Sequence, residues 1–315
     1  MAQNILLLGA GFSRNWGGWL ASEALEYLLG CPQVDDSLHT LLLQHKDKGF
    51  EAALEVLQAS PIHDNRLANL EEALRTMFEA MNRAFQAAKF ESHANLNFTV
   101  SHFLRRFDLI FTLNQDCLLE IHYLSDRLFS EARDRWKGFT VPGMQRFGAT
   151  NWANPAFSKW QPTGEPPALP PGYQPYIKLH GSSEWESGTN SLVMGGNKSA
   201  AIRKNPILAW GMRTFEETLV RPNTRLMVIG YGFRDDHINS VIEQAVDKAS
   251  TSLFIVDPLG MDVINHSTRD GLITATAPLA RKLWRHVRGS SRRPLTSTFG
   301  TDRAEHAKLM RFLAG

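Results

Sequence analysis

An apolar run, Ile5-Leu6-Leu7-Leu8, stops abruptly at Gly9-Ala10-Gly11-Phe12-Ser13, and the same construction recurs along the chain. Leu109-Ile110-Phe111-Thr112 stops at Leu113-Asn114-Gln115-Asp116, and Tyr176-Ile177-Lys178-Leu179 stops at His180-Gly181-Ser182. Arg225 to Ile229 ends at Gly230-Tyr231-Gly232, and Ser252 to Val256 ends at Asp257-Pro258. Helical patterns separate these runs, including one around Phe215-Leu219 and one from about Asp236 to Lys248. Short apolar runs that alternate with helices fit strands buried on both faces and joined by crossover helices. The expected fold is therefore α/β, a doubly wound and mostly parallel sheet. In an open sheet of this kind a ligand sits outside the carboxyl ends of the strands, where the polar turns fall.

Two stretches interrupt the alternation. From about residue 37 to 107 the pattern is helical throughout, which reads as an insertion between the first two strands. From about 141 to 175 the chain carries eight prolines, with Trp152 and Trp160 among them. Proline removes an N–H donor and fixes φ, so this segment is expected to form neither a helix nor a central strand but a long surface loop, plausible as a lid. Ser252-Val256 is the last clear strand, and residues 278–315 read as a basic helical tail behind a domain spanning 1–277. From Arg281 to Arg311 nine Lys or Arg stand against Asp302 and Glu305, although the whole chain carries only +2. Such a tail suits nucleic acid or an acidic protein surface, or it is a solvated helix pair with local salt bridges.

Composition narrows the class. A 43% hydrophobic fraction over 315 residues supports a large buried core. The segment before Ile5 carries no basic leader and reads as the start of a core strand rather than a signal peptide. No apolar stretch reaches the roughly 20 residues that span a bilayer, so the expectation is a soluble, cytoplasmic protein without membrane contact. Cys31 and Cys117 are the only cysteines, too few for a four-cysteine zinc site, and both are expected to be reduced and structural. Cys117 directly follows the Asn114–Asp116 loop, which leaves a nucleophilic role open beside simple packing.

The turns carry the chemistry. Gly9, Ala10 and Gly11 let the backbone approach a ligand, and Ser13 and Arg14 supply a hydroxyl and a positive charge. The dehydrogenase fingerprint asks for a third glycine at 14, where this chain has Arg14, and no ribose-binding acid ends a second strand. Hydride transfer is therefore disfavoured, and a ligand-free βα turn is the alternative. Asn114 and Asp116, at alternate positions, can face one pocket or cap the next helix. His180, one of eleven histidines, stands out because it ends a strand before a glycine, and imidazole exchanges protons near neutral pH. Gly230-Tyr231-Gly232 could admit the second half of a dinucleotide, with Asp235 or Asp236 capping the helix. Asp257 could meet an adenosine ribose or simply form an Asp-Pro turn.

Taken in order, the Gly9–Ser13 turn, the Asn114-Gln115-Asp116 loop, the Leu179-His180-Gly181-Ser182 strand end and the Gly230–Phe233 turn resemble the sirtuin family of NAD-consuming enzymes. The resemblance covers most of residues 4–260 and implies a Rossmann-like sheet with NAD as substrate. It implies that Asn114 positions water or the ribose, that Asp116 meets the nicotinamide end, and that His180 is the general base. Gly9, Ala10, Gly11 and Ser13 would line the phosphate and ribose, and Gly230 and Asp257 the adenosine side. Two departures matter. The 49 residues between His180 and Gly230 hold no cysteine, whereas sirtuin deacylases carry a zinc module there. Asn15-Trp16-Gly17-Gly18-Trp19 replaces the segment that shapes an acyl-lysine site. Both departures match the sirtuin-like NAD hydrolases of bacterial anti-phage systems. That likeness implies NAD cleavage without a metal and a homo-oligomer. It also implies a trigger in trans, such as a DNA translocase-type ATPase or another sensor. A protein deacylase and a catalytically silent NAD or ADP-ribose-binding subunit are the alternatives.

Overall fold

The computed structural model describes residues 2–60, 65–124, 128–129, 135–147, 159–186, 193–195, 198–267 and 278–314. The strands are β1 (Gln3–Leu8), β2 (Leu109–Thr112), β3 (Gly138–Thr140), β4 (Met144–Phe147), β5 (Lys159–Pro162), β6 (Tyr173–Lys178), β7 (Thr224–Ile229), β8 (Ser252–Val256) and β9 (Val287–Ser291). Seven of them form one sheet in the order β3-β6-β2-β1-β7-β8-β9, and every neighbouring pair is parallel. β4 and β5 form a separate antiparallel pair.

The first helices are α1 (Ala10–Arg14), α2 (Ala21–Leu29), α3 (Asp36–Gln44), α4 (Phe50–Ala59), α5 (Asn65–Ala87), α6 (Val100–Leu104) and α7 (Leu118–His122). The later ones are α8 (Lys198–Lys204), α9 (Pro206–Leu219), α10 (Asp236–Ala249), α11 (Pro278–Leu283), α12 (Leu295–Thr298) and α13 (Arg303–Ala314). The central strands are buried on both faces. Ile5 and Leu7 of β1 pack with Phe215, Ile238, Ile242 and Leu283, from α9, α10 and α11. Leu6 and Leu8 point the other way, into a core shared with Leu28, Leu54, Leu74, Phe103 and Leu309. Period-two alternation of an all-apolar strand between two helical layers is the physical basis of the doubly wound architecture. The α/β, Rossmann-like reading stands, with α1–α6 lying between β1 and β2.

Two expectations need correction. Ser252–Val256 is not the last strand, because β9 lies in the stretch read as a helical tail and pairs with β8. Val-Arg-Gly-Ser-Ser lacks an apolar run, and its glycine answers a tertiary demand: a Cβ at Gly289 would meet the Phe254 ring at 2.6 Å. The Pro-rich segment is not simply a loop either. It contains β4, β5 and the start of β6, while Trp152 and Pro155 lie outside the described residues. Pro175 sits inside β6 at a changeover, since its register partner is Thr140 of β3, and from Tyr176 onward β6 pairs with β2. A missing N–H is tolerated where one ladder hands over to the next. β3, only three residues long, was not anticipated at all. In the basic stretch, Lys282 pairs with Glu243, Arg292 with Asp262 and Lys308 with Glu305. Among the described residues no helix is long and apolar enough to cross a membrane.

The two glycine turns meet at the centre of the sheet. Gly11 N–H donates to Gly230 O at 2.9 Å, and Gly9 N–H to Ile229 O at 3.0 Å. Gly230 has φ +65°, and a Cβ there would fall on the backbone of Gly11 and Phe12. Gly230→Ala should therefore cost at least about 2 kcal/mol from left-handed strain and overpacking. Urea unfolding midpoints measured at constant m-value will read this loss.

Candidate functional site

The strand order sets β6, β2, β1 and β7 side by side, so their carboxyl ends share one rim. Ser13 enters from α1, Asn114 and Asp116 from the loop after β2, and His180 from the residue pair that follows β6. Asn114 Nδ2 donates to Ser13 Oγ at 3.0 Å, and Asn114 N–H donates to Thr112 Oγ1 at 3.0 Å. Asp116 Oδ1 accepts from Leu118 N–H at 3.0 Å, so the capping reading of this residue holds as well. Ser13 also lies beside the Asp116 carboxylate and helps to lower its pKa, so Ser13, Asn114 and Asp116 form a buried cluster. Burial lifts the Asp116 pKa above the usual carboxylate range, against the opposing pull of Lys178, Leu118 N–H and Ser13.

A buried cation ties this loop to the next strand. Lys178, with no exposed side-chain surface, pairs with Glu120 Oε1 at 2.5 Å. Its ammonium also donates to Asp116 O at 2.6 Å and Ser182 Oγ at 3.0 Å. Burial alone favours loss of its proton, but the Glu120 carboxylate and its neighbours override this and raise the pKa above the ordinary lysine value. Tyr176 donates to Glu120 Oε2 at 3.2 Å. Behind them Asn82 of α5 accepts from Cys117 N–H at 3.0 Å and donates to Ser183 Oγ and Glu184 Oε1. The helical insertion thereby buttresses the loop from below.

Gln115 stitches the loop to the His180 segment: its Nε2 donates to Val193 O at 2.8 Å, and its backbone carbonyl accepts from Ser183 N–H at 2.9 Å. Gly181, at φ +78°, turns the chain immediately after His180. His180 is 4% exposed, and its Nε2 lies 2.9 Å from Nε2 of His237, at the start of α10. Burial lowers the His180 pKa to about 3, with Lys198 and His237 adding to the effect and Asp235 opposing it. The ring is neutral at physiological pH, and the same burial disfavours its protonated form. Asp235 is the N-cap residue of α10, but its side chain makes no cap bond. It accepts instead from Lys198 Nζ at 2.8 Å, and Lys198 reaches Glu51 at 3.0 Å.

The remaining anticipated residues are less central. Gly9, Gly11 and Gly230 pack against one another, and Ala10 is exposed at the start of α1. Arg14 pairs with Glu23 at 2.7 Å on the surface. Asp257 ends β8, where its Oδ1 accepts from Leu259 N–H at 2.8 Å as an Asp-Pro turn would have it. Cys117 is fully buried with its thiol pKa pushed up by burial, which is the structural rather than the nucleophilic reading. Sequence reasoning missed Lys178, Glu120, Asn82, His237 and Lys198, and read Asp235 only as a helix cap. A lysine between Ile177 and Leu179 in a buried strand was a usable signal, since lysine is almost never fully buried without a partner. The other contacts join residues far apart in sequence and leave no local pattern.

Together the sheet and its rim define a doubly wound α/β protein with a cluster of buried polar residues at the strand ends. A profile of the SIR2-like domain matches residues 108–270, more than half of the chain and including Asn114, Asp116, His180, Gly230 and Asp257. The chain belongs to the SIR2-like domain family, whose members are NAD-dependent enzymes. No curated protein matches it.

Two outcomes are expected from the buried network. Lys178→Met leaves Glu120 buried and unpaired, so it should destabilise the fold by about 3–5 kcal/mol, and a Lys178→Met/Glu120→Leu double variant should recover part of this. Denaturant titrations of the three proteins will read it. Cys31 and Cys117, both buried, should resist alkylation in the native protein and react with iodoacetamide only after unfolding, as followed by intact mass.

Proposed function

We propose that this chain hydrolyses NAD at the bond between nicotinamide and ribose, releasing nicotinamide and ADP-ribose. The observation that carries this reading is the buried Ser13–Asn114–Asp116 cluster at the end of β2, stitched to the segment that holds a neutral His180. In the reaction the C1′–N bond breaks with its electron pair moving to the nicotinamide ring, and a water oxygen bonds to C1′. The water proton leaves to a base. Asn114 would hold the water or the ribose, its amide pre-oriented by Ser13. Asp116 would face the nicotinamide end, where a carboxylate offsets the positive character that builds on the ribose. His180 would take the proton from water or from a ribose hydroxyl, with the Asp235 charge opposing the loss of basicity that burial imposes. Gly9, Ala10, Gly11 and Ser13 would flank the phosphates and ribose, with Gly230 and Asp257 toward the adenosine.

Water is favoured as acceptor over an acyl-lysine because the chain lacks the four cysteines of the deacylase zinc module. The reading extends to physiology: an anti-phage effector that depletes NAD when triggered, acting as a homo-oligomer. A partner such as a DNA translocase-type ATPase or another sensor would supply the trigger, and nucleic acid could engage the basic residues of 281–311. Incubating the protein with NAD alone, and resolving nicotinamide and ADP-ribose by mass spectrometry, tests the chemistry. His180→Gln and Asn114→Ala should each lower turnover by about 100-fold or more at unchanged circular dichroism. Full turnover by His180→Gln would sink the assignment, and consumption that requires an acyl-lysine peptide would return the deacylase.

A further inference from the structure

We propose that His180, His237 and Asp235 form a binding site for a divalent transition-metal ion of the zinc type, held by two imidazole nitrogens and one carboxylate oxygen. The three residues come from two different strand ends, and their donor atoms all lie within 4.8 Å of one another. The two Nε2 atoms face each other at 2.9 Å. Two nitrogens bound to one tetrahedral ion at about 2.0–2.1 Å each stand roughly 3.4 Å apart, so a small side-chain adjustment admits the ion. Two histidines and a carboxylate are a donor set that zinc and its neighbours in the first transition row accept, and a hard cation such as magnesium does not prefer.

The surroundings look built to present these donors. Phe233, fully buried, holds φ +52°, a backbone conformation that a phenylalanine rarely adopts. That kink carries the chain from β7 to the start of α10. It is locked by Asn239, whose Nδ2 donates to Phe233 O at 2.9 Å, and by Tyr231, whose hydroxyl accepts from Asp235 N–H at 3.1 Å. On the other strand, Gly181 turns the chain directly behind His180. Strain held in place by a hydrogen-bonded shell is typical of a site rather than of a bare helix cap. Charge is favourable as well. Lys198 takes one oxygen of Asp235 at 2.8 Å, but Glu51 neutralises the same ammonium at 3.0 Å, which leaves the group with a net negative charge for an incoming cation.

Occupancy would remove Nε2 of His180 from proton transfer. On the reading proposed above, which this consequence alone depends on, the ion is an inhibitor. The test uses the full chain, stripped of metal and titrated with Co²⁺ while visible absorption is recorded, followed by displacement with Zn²⁺ and a challenge with excess Mg²⁺. One Co²⁺ per chain, displaced by Zn²⁺ and not by Mg²⁺, is expected. His237→Gln and His180→Gln should each lose the absorption, with thermal midpoints and circular dichroism confirming that both remain folded. No saturable absorption in the parent protein, or equal binding by both variants, overturns the site. NAD turnover in the same samples separates the two proposals. Zinc binding through His237 without slowed turnover would leave the site standing and remove His180 as the base. Loss of turnover in His180→Gln without any metal binding would do the reverse.

Discussion

A single ammonium group, Nζ of Lys178, organises the rim of this sheet. It rises from the carboxyl end of β6, fully enclosed, and holds a carboxylate of α7, a carbonyl of the β2 loop and a hydroxyl of the segment after His180. An ion pair this deeply buried adds little net stability over an apolar pair of the same shape, because desolvation offsets the attraction. What it does is fix register. Each of its partners lies on a different element, and each is satisfied only when β2, β6 and α7 stand in one arrangement. Asp116 and His180 hang on the two loops that this group joins.

The helical insertion takes part in the same arrangement. Asn82 of α5 reaches under the Asp116 loop to cap Cys117 N–H and to hold Ser183 and Glu184. A stretch that separates β1 from β2 in sequence therefore supports the contact between β2 and β6 in space. On the opposite side of His180, Glu51 of α4 draws Lys198 toward Asp235. The insertion thus touches the site at two points, through one amide and one carboxylate.

The glycine turns show how one residue type can be anticipated for one reason and retained for another. Their pattern suggests a backbone left bare for a ligand. In the fold, Gly9, Gly11 and Gly230 are bare because the turns after β1 and β7 lie against each other, with Gly11 N–H directed to Gly230 O. The same first turn also carries Ser13, which meets Asn114 on the side of β2. The polar reach of the first turn then rests on Ser13 rather than on the glycine amides.

Local sequence determined a good deal. Apolar runs of four to six residues cut off by glycine or Asx turns can be satisfied only as strands buried on both faces, so β2 and β8 were legible to the residue and the parallel sheet followed. The strand-end positions of Asn114, Asp116 and His180 were legible for the same reason. Elements without a local signature were not: β9 is a strand because Phe254 lies over Gly289 and β8 offers it an edge, and β6 extends through Pro175 because the pairing partner changes there. Only the tertiary structure could decide that Lys178 is buried against Glu120, that Asn82 props the site, and that His237 stands against His180. These are contacts between residues tens of positions apart, set by where the sheet carries each element, and no periodicity or spacing along the chain encodes them.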